Sequence, residues 1–157
     1  MKIIEQDMLA LEEGILFHQV NCRGIMGGGI ARSFALKWPE LEIKYREYCQ
    51  IYDTSQEQLI GRVWMFNASP TIRIANVFGQ GDVSRTKRMT SYDATVTAFE
   101  RIVNSRRRNP ESKYWNGQFY FPYKMGCGLG GGNWDIYSKI IETYFPDAII
   151  CKYEPKS

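Results

Sequence analysis

Two glycine-rich stretches carry the residue types and spacing best suited to binding chemistry. The first is Asn21-Cys22-Arg23-Gly24-Ile25-Met26-Gly27-Gly28-Gly29-Ile30-Ala31; the second is Gly126-Cys127-Gly128-Leu129-Gly130-Gly131-Gly132-Asn133-Trp134. Each follows an apolar, strand-like run and precedes a helical pattern. Glycine lets the backbone take positive φ and lets a ligand approach without a Cβ in the way. A helix that starts at the end of such a loop directs free N–H groups and a positive partial charge toward it, which suits phosphate. Two loops of this kind at one edge of a sheet would suit two adjoining phosphates, or a phosphate and a sugar.

Gly126, Gly128 and Gly131 match the spacing of a dinucleotide-binding fingerprint. That motif opens a strand–helix–strand unit and needs an acid about 20 residues on, at the end of the next strand. Asp147 has about that spacing but precedes its strand, and too little chain remains for a dinucleotide domain, so this reading is rejected. Neither cluster is followed by Lys-Ser or Lys-Thr, so a P-loop is absent as well.

His18 is the only histidine. It titrates near neutrality and is a candidate acid or base, the alternative being a hydrogen-bonded core histidine. Strand alternation places His18 with Val20 on one face, and Gln19 with Asn21 on the other. Asp82 is a second candidate acid or base, and Gln80 a candidate ligand contact. Arg85, Lys87 and Arg88 would attract phosphate, whereas Arg106–Arg108 would complement a helix dipole.

The elements that must position these residues alternate between strand and helix patterns, which implies an α/β layered fold. Expected strands are Lys2–Gln6, Ile15–Asn21, Val63–Asn67, Ile72–Val77, Gln118–Pro122 and Ala148–Tyr153. A first helix starts near Gly28 or Gly29, with Ile30, Phe34 and Trp38 in one row and Ala31 and Ala35 in another. Pro39 restarts the helix, and Leu41–Tyr48 continues it. A third helix runs from an N-capping Ser91 to about Arg106, burying Ala94, Val96, Phe99, Ile102 and Val103. Asn133 caps a fourth, whose Ile136, Ile140, Ile141 and Tyr144 face inward. The polar, basic segment Ser105–Gly117 is a surface loop.

With 157 residues, 44% hydrophobic and 24% charged, the chain reads as one domain spanning 1–157. Its four cysteines form no CxxC pair, and with a single histidine they exclude a zinc site of the usual spacing; no metal or cofactor is expected. Reduced thiols, the early acid Glu5 and the lack of any apolar run near 20 residues point to a cytoplasmic protein without a membrane partner. The net charge of +3 is too small to imply nucleic acid by itself.

In motif order, nearly the whole chain resembles a macro domain, the ADP-ribose-binding fold. Gln6-Asp7-Met8 is similar to that family's Gly-Asp-hydrophobic adenine site, with Gln6 departing at the glycine. His18–Cys22 with Gly24–Ala31 resembles the first ligand loop, Gly126–Trp134 the diphosphate loop, and Tyr153 the aromatic or apolar residue near the adenosine. The resemblance implies a three-layer α/β/α domain with a central mixed, mostly parallel sheet of six or more strands. It implies that Asp7 accepts from the adenine amino group, that the Met8 amide contacts the base, and that Asn21 bonds the distal ribose. Ile25 and Met26 would wall that ribose. Gly24, Gly27, Gly28, Gly29 and Ile30, with Gly126, Cys127, Gly128, Leu129, Gly130 and Gly131, would line the rest of the site.

The first loop most resembles the branch holding ADP-ribose 1''-phosphate phosphatases and terminal ADP-ribose–glutamate hydrolases. Those hydrolases use a middle-loop lysine and an aspartate from the second glycine loop; here Gly130 stands at the aspartate position, which fits the phosphatase side better. The expected activity is metal-independent hydrolysis of ADP-ribose 1''-phosphate, with Asn21 and His18 as candidate catalytic residues. The alternatives are a non-catalytic reader of ADP-ribose or of an ADP-ribosylated macromolecule, and an enzyme reversing nucleic-acid ADP-ribosylation, for which Tyr114 and Trp115 beside the basic groups would supply stacking.

Overall fold

In a computed structural model the chain is described over residues 1–52, 56–84 and 86–154, so Arg85 lies outside the described residues. Six strands form, all within one or two residues of the expected starts: β1 (Lys2–Glu5), β2 (Gly14–Asn21), β3 (Val63–Asn67), β4 (Ile72–Gln80), β5 (Phe119–Pro122) and β6 (Ile149–Lys152). They make one sheet in the order β1-β6-β5-β2-β4-β3. Every pairing is parallel except β3 against β4. Among the described residues five helices join them: α1 (Gly29–Lys37), α2 (Pro39–Ile51), α3 (Gln56–Leu59), α4 (Tyr92–Arg108) and α5 (Trp134–Tyr144). The architecture is the expected mixed, mostly parallel six-stranded sheet between helical layers.

Successive side chains of a strand point to opposite faces, and β2 sits near the middle of the sheet, so its alternate residues enter two cores. Leu16 and Val20 pack with Phe34 of α1 and with Leu41 and Tyr45 of α2. Ile15 and Phe17 pack with Phe99 of α4, Phe121 of β5 and Tyr137 and Ile141 of α5. A strand covered on both faces reads as a near-continuous apolar run, as β2 does.

Several boundaries and faces differ from expectation for identifiable reasons. β4 runs three residues past Val77 because Phe78 is fully buried and Gly79 packs against Gln19. Residues 105–108, expected in a loop, form the last turn of α4, where Arg106–Arg108 complement the negative end of the helix dipole. The loop that follows is anchored by Trp115, buried and stacked on Phe17 at 6.3 Å; this removes Trp115 as a nucleic-acid stacking residue. On α5 the inward stripe is Tyr137, Ile140, Ile141 and Tyr144, leaving Ile136 45% exposed one residue off the stripe. On α4, Thr95 and Ala98 are buried, whereas Val96 and Val103 are half-buried. The short α3 and a 3₁₀ turn at Met8–Ala10, whose N-cap is Asp7, had no periodic signal. No helix of the described residues is long and apolar enough to cross a membrane.

Phe17 is the centre of the larger aromatic core, with ring centroids of Phe121 at 4.2 Å and Phe119 at 4.9 Å. Truncation there leaves a cavity that neighbouring rings cannot fill. Phe17→Ala should lower stability by about 3–5 kcal/mol in urea denaturation followed by far-UV circular dichroism.

Candidate functional site

A crevice of about 560 Å³ opens over the C-terminal ends of β2, β4 and β5. In open α/β sheets this is where ligands bind, and the volume falls in the range of small-molecule sites. Its walls come from Gly27–Ala31 on one side, Pro122–Gly126 and Gly128–Gly130 on another, and Gln80, Val83 and Ser84 of the middle loop. The two glycine loops touch: a Cβ built on Gly28 would sit 2.7 Å from Leu129 Cδ1.

The first loop is shaped by Asn21, which ends β2 just past an irregularity in the β2–β4 register. Its Oδ1 accepts from the amides of Arg23 (2.9 Å) and Ile25 (3.3 Å), and from the Tyr45 hydroxyl (3.0 Å). Its Nδ2 donates to the Ile25 carbonyl at 2.8 Å, leaving one amide hydrogen for another acceptor. The turn so held delivers the chain to α1. That helix begins at Gly28 with no side-chain cap, whereas Ser91 caps α4 and Asn133 caps α5. Among the described residues no protein acceptor takes the amides of Gly27, Gly28 and Gly29.

The second loop closes on itself through Cys127 N to Lys124 O (2.9 Å), Gly131 N to Gly128 O (3.0 Å) and Gly132 N to Gly126 O (2.9 Å). Met89 N and Thr90 N donate to Gly130 O at 2.9 and 3.0 Å and tie the middle loop to it. Gly126 has φ +72°, and a Cβ there would lie 2.6 Å from the Tyr137 ring, so only glycine fits. The amides of Gly128, Leu129 and Gly130 have no protein acceptor among the described residues. Lys124, on the crevice wall, is the one non-glycine described residue with positive φ, at 60°.

The hub beneath the crevice is Gln19, which sequence reasoning placed on a face without giving it a role. Its Nε2 donates to Gln80 Oε1 (2.7 Å) and Thr90 Oγ1 (2.9 Å), and its Oε1 accepts from the Tyr137 hydroxyl (3.1 Å). Thr90 Oγ1 in turn donates to the Gly126 carbonyl at 2.6 Å. The available signal was a long amide side chain inside an otherwise apolar strand.

The structure brings Asn21, Ile25, Gly27–Ile30, Gly126 and Gly128–Gly130 together at the crevice. Other expected site residues lie elsewhere. Met26 is buried in the α1/α2 core and does not wall the crevice, because the tight turn held by Asn21 directs it inward. Gly24 is buried against Arg46 and Cys49, and Gly131 packs on Arg88. Cys127 is turned to its own loop, with Sγ 3.3 Å from the Met125 carbonyl. Asp7, Met8 and Tyr153 stand at the ends of β1 and β6, outside the crevice walls; Asp7 accepts from Leu9 N, Met8 is buried and Tyr153 exposed.

His18 is placed in the core, with no solvent exposure, against Phe34. Asn76 Nδ2 donates to the Trp64 and Ile74 carbonyls, so Asn76 Oδ1 is the acceptor that His18 Nε2 meets at 2.5 Å. Nδ1 has no partner among the described residues. Burial pushes the imidazole down to about 4, against the opposing effect of the Asn76 bond. A neutral histidine buried in this way has no route to a substrate in the crevice, which corrects its candidacy as an acid or base. Asp82 is held below the ordinary carboxylate range, first by the Val83 amide and then by Arg23, whose guanidinium lies 3.0 Å away. Among the described residues, the crevice walls contain no carboxylate and no histidine. Among the described residues no three His, Cys, Asp or Glu side chains group as a metal site would require.

The fold and site define an α/β/α layered domain with a crevice at its strand ends, lined by backbone amides that lack protein acceptors among the described residues. Comparison with known proteins identifies the fold. No family-level sequence profile matches the chain. A Saccharomyces cerevisiae protein named ADP-ribose 1''-phosphate phosphatase is 25% identical, covering 89% of this chain and 89% of that protein. The macrodomain of Mycobacterium tuberculosis DarG superposes with a TM-score of 0.73 at 20% identity, covering 99% and 97% of the two chains. Thermosipho africanus DarTG, solved in complex with ADP-ribose, gives 0.74 at 17% identity, covering 99% of this chain and 42% of that one. The chain has the macrodomain fold.

Two outcomes test this account of the site. His18 has a lowered folded-state pKa, so the unfolded chain takes up the proton first as pH falls. Stability should decline from about pH 6.5 toward about pH 4 by on the order of 3 kcal/mol. His18→Gln should flatten that slope in denaturant titrations at pH 7.5, 5.5 and 4.5. Gln19→Leu strands the Gln80, Thr90 and Tyr137 groups and should cost about 1–3 kcal/mol. Hydrogen exchange at Gly126–Gly130 should rise with it.

Proposed function

We propose that this chain, acting as a single macrodomain unit, binds ADP-ribose across the crevice and hydrolyses the terminal phosphate of ADP-ribose 1''-phosphate. The observation that carries the binding reading is the meeting of two loops whose amides, at Gly27–Gly29 and Gly128–Gly130, lack protein acceptors. A diphosphate supplies the charged acceptors those donors need, and the uncapped end of α1 adds a favourable dipole. The remaining Asn21 amide hydrogen would reach the distal ribose, Ile25 would wall it, and Asp7 and Tyr153 would receive the adenosine beyond the crevice. The yeast relative's name and the ADP-ribose complex of the Thermosipho neighbour support the same ligand.

For phosphomonoester hydrolysis, the same amides would stabilise charge on the leaving oxygens while the site positions water. The alternative of a glutamate-linked ADP-ribosyl hydrolase meets a steric obstacle. Gly130 stands where that branch carries an aspartate, and a Cβ there would lie 2.5 Å from Thr90 Oγ1 and 2.8 Å from the Gly126 carbonyl. A second reading, an ADP-ribose reader without turnover, is favoured by crevice walls whose described residues include no carboxylate or histidine.

Calorimetric titration with ADP-ribose should give saturable binding, and phosphate release from pure ADP-ribose 1''-phosphate separates enzyme from reader. Tight binding with no phosphate released would leave only the reader; no heat with ADP-ribose under several buffers would end both. Gly28 is extended at φ −151°, so a side chain is sterically allowed by the backbone and meets only the flexible end of Leu129. Gly28→Phe should therefore keep the melting temperature within a few degrees while weakening ADP-ribose by more than about ten-fold, ~1.4 kcal/mol.

A further inference from the structure

The sheet has two edges, and they are defended differently. β1, Lys2-Ile3-Ile4-Glu5, carries a charge at each end, the usual protection against pairing with a foreign strand. β3, Val63-Trp64-Met65-Phe66-Asn67, has no charge, proline or glycine, and its only neighbour in the sheet is β4. Arg62 O accepts from Phe78 N at 2.9 Å, and Ala68 N donates to Ile72 O at 3.0 Å. Antiparallel alternation then turns Trp64 and Phe66 toward β4 and points the N–H and C=O groups of Val63, Met65 and Asn67 outward.

Two concavities follow one another along this edge. One, of about 390 Å³, is lined by Arg62, Val63, Arg101 and Tyr114. The next, of about 540 Å³, is lined by Lys37, Trp38, Lys44, Met65 and Asn67. Among the described residues none of Lys37, Lys44, Arg62 and Arg101 has a carboxylate within ion-pair distance. Arg62 and Arg101 donate only to the backbone carbonyls of Gln58 and Gly61, and Lys37 to that of Leu9. Among the described residues, Glu40 is the single acid on either wall.

We infer that the outer edge of β3 docks an extended acidic peptide segment of a partner protein, added to the sheet as a seventh strand. Main-chain bonds to Val63, Met65 and Asn67 would hold the peptide, and its acidic side chains would reach the Arg62/Arg101 and Lys37/Lys44 pairs. A second copy of this chain is disfavoured as occupant, because edge-to-edge pairing would bring these four cations against their own images. A nucleic-acid strand would leave the outward peptide groups unpaired. It would also find one face of Trp64 already stacked on Tyr48, with centroids 5.5 Å apart, and Trp38 already under Lys37 at 4.9 Å.

The test uses a fluorescein-labelled octapeptide alternating glutamate and valine, read by anisotropy against the alternating lysine–valine octapeptide and an eight-nucleotide oligothymidylate at the same salt. The acidic peptide should bind saturably and at least about ten-fold tighter than either control. Amide shifts in a ¹⁵N spectrum of the unaltered protein should centre on Val63, Met65 and Asn67. Met65→Pro, which removes an outward N–H and no bond to β4, should weaken the peptide by a similar factor with an unchanged circular dichroism spectrum. So should Lys37→Glu combined with Arg62→Glu. The inference is overturned by equal or tighter binding of the basic peptide or the oligothymidylate, by shifts centred elsewhere, or by no saturable binding of the acidic peptide. A concentration-dependent dimer in sedimentation that Met65→Pro abolishes would give the edge to a second copy instead.

Discussion

The contact of Gln19 and Tyr137 with the bare backbone of Gly126 fixes how the rest of the site is arranged. Any side chain at Gly126 would enter the Tyr137 ring and come within 2.8 Å of Gln19 Oε1. With glycine there, the second loop folds down onto the sheet. Gly126 then offers its carbonyl to Thr90 and to Gly132, and Gly130 offers its own to the middle loop. Carbonyls in both glycines are therefore spent inward, against protein donors, while amides on the same loop stay free. A loop whose acceptors are satisfied and whose donors are not has the polarity that the proposed anionic ligand requires. The first loop reaches the same state by another route: Asn21 uses its carbonyl oxygen to hold the turn, and the helix that follows starts without a cap.

This division of polar groups bears on the chemistry. Binding sites that rely on carboxylates or histidines change character with pH, because those side chains titrate. Here the donors are peptide groups, and the single histidine is kept neutral in the core by burial, which outweighs the opposing effect of its bond to Asn76. Asp82, the nearest candidate acid in sequence, is kept ionised by the Val83 amide and Arg23. Fixed dipoles that need no reorganisation suit a ligand whose charge is spread over a diphosphate.

Much of this was legible in the sequence because its causes are local. All six strands follow from apolar runs, and the starts of α1, α4 and α5 follow from glycine, Ser91 and Asn133 at their N-termini. The two glycine loops were visible because glycine concentrates where backbone must approach something closely. What was not legible depends on contacts distant in sequence. Gln19 acts through partners 61, 71 and 118 residues away. Met26 faces the core only because Asn21 turns the chain before it. His18 alternates correctly along β2, but whether its face meets solvent or α1 is decided by how Phe34 packs. Lys124 at φ 60° carries no residue-type signal at all, since left-handed backbone is read from glycine and asparagine.

Gly130 shows how the same packing limits which reactions the fold can host. A carboxylate introduced there would have to displace Thr90 Oγ1, the group that also receives Gln19 Nε2 and grips the Gly126 carbonyl. Moving Thr90 would loosen the clamp that shapes the amide cradle, so acid chemistry at this position and the present cradle compete for one space. A relative that places an aspartate there must support its second loop differently, with a smaller group than Thr90 or a different partner for the strand end. In this chain the residue at 90 and the residue at 130 are one steric choice. That choice favours a site built from peptide donors.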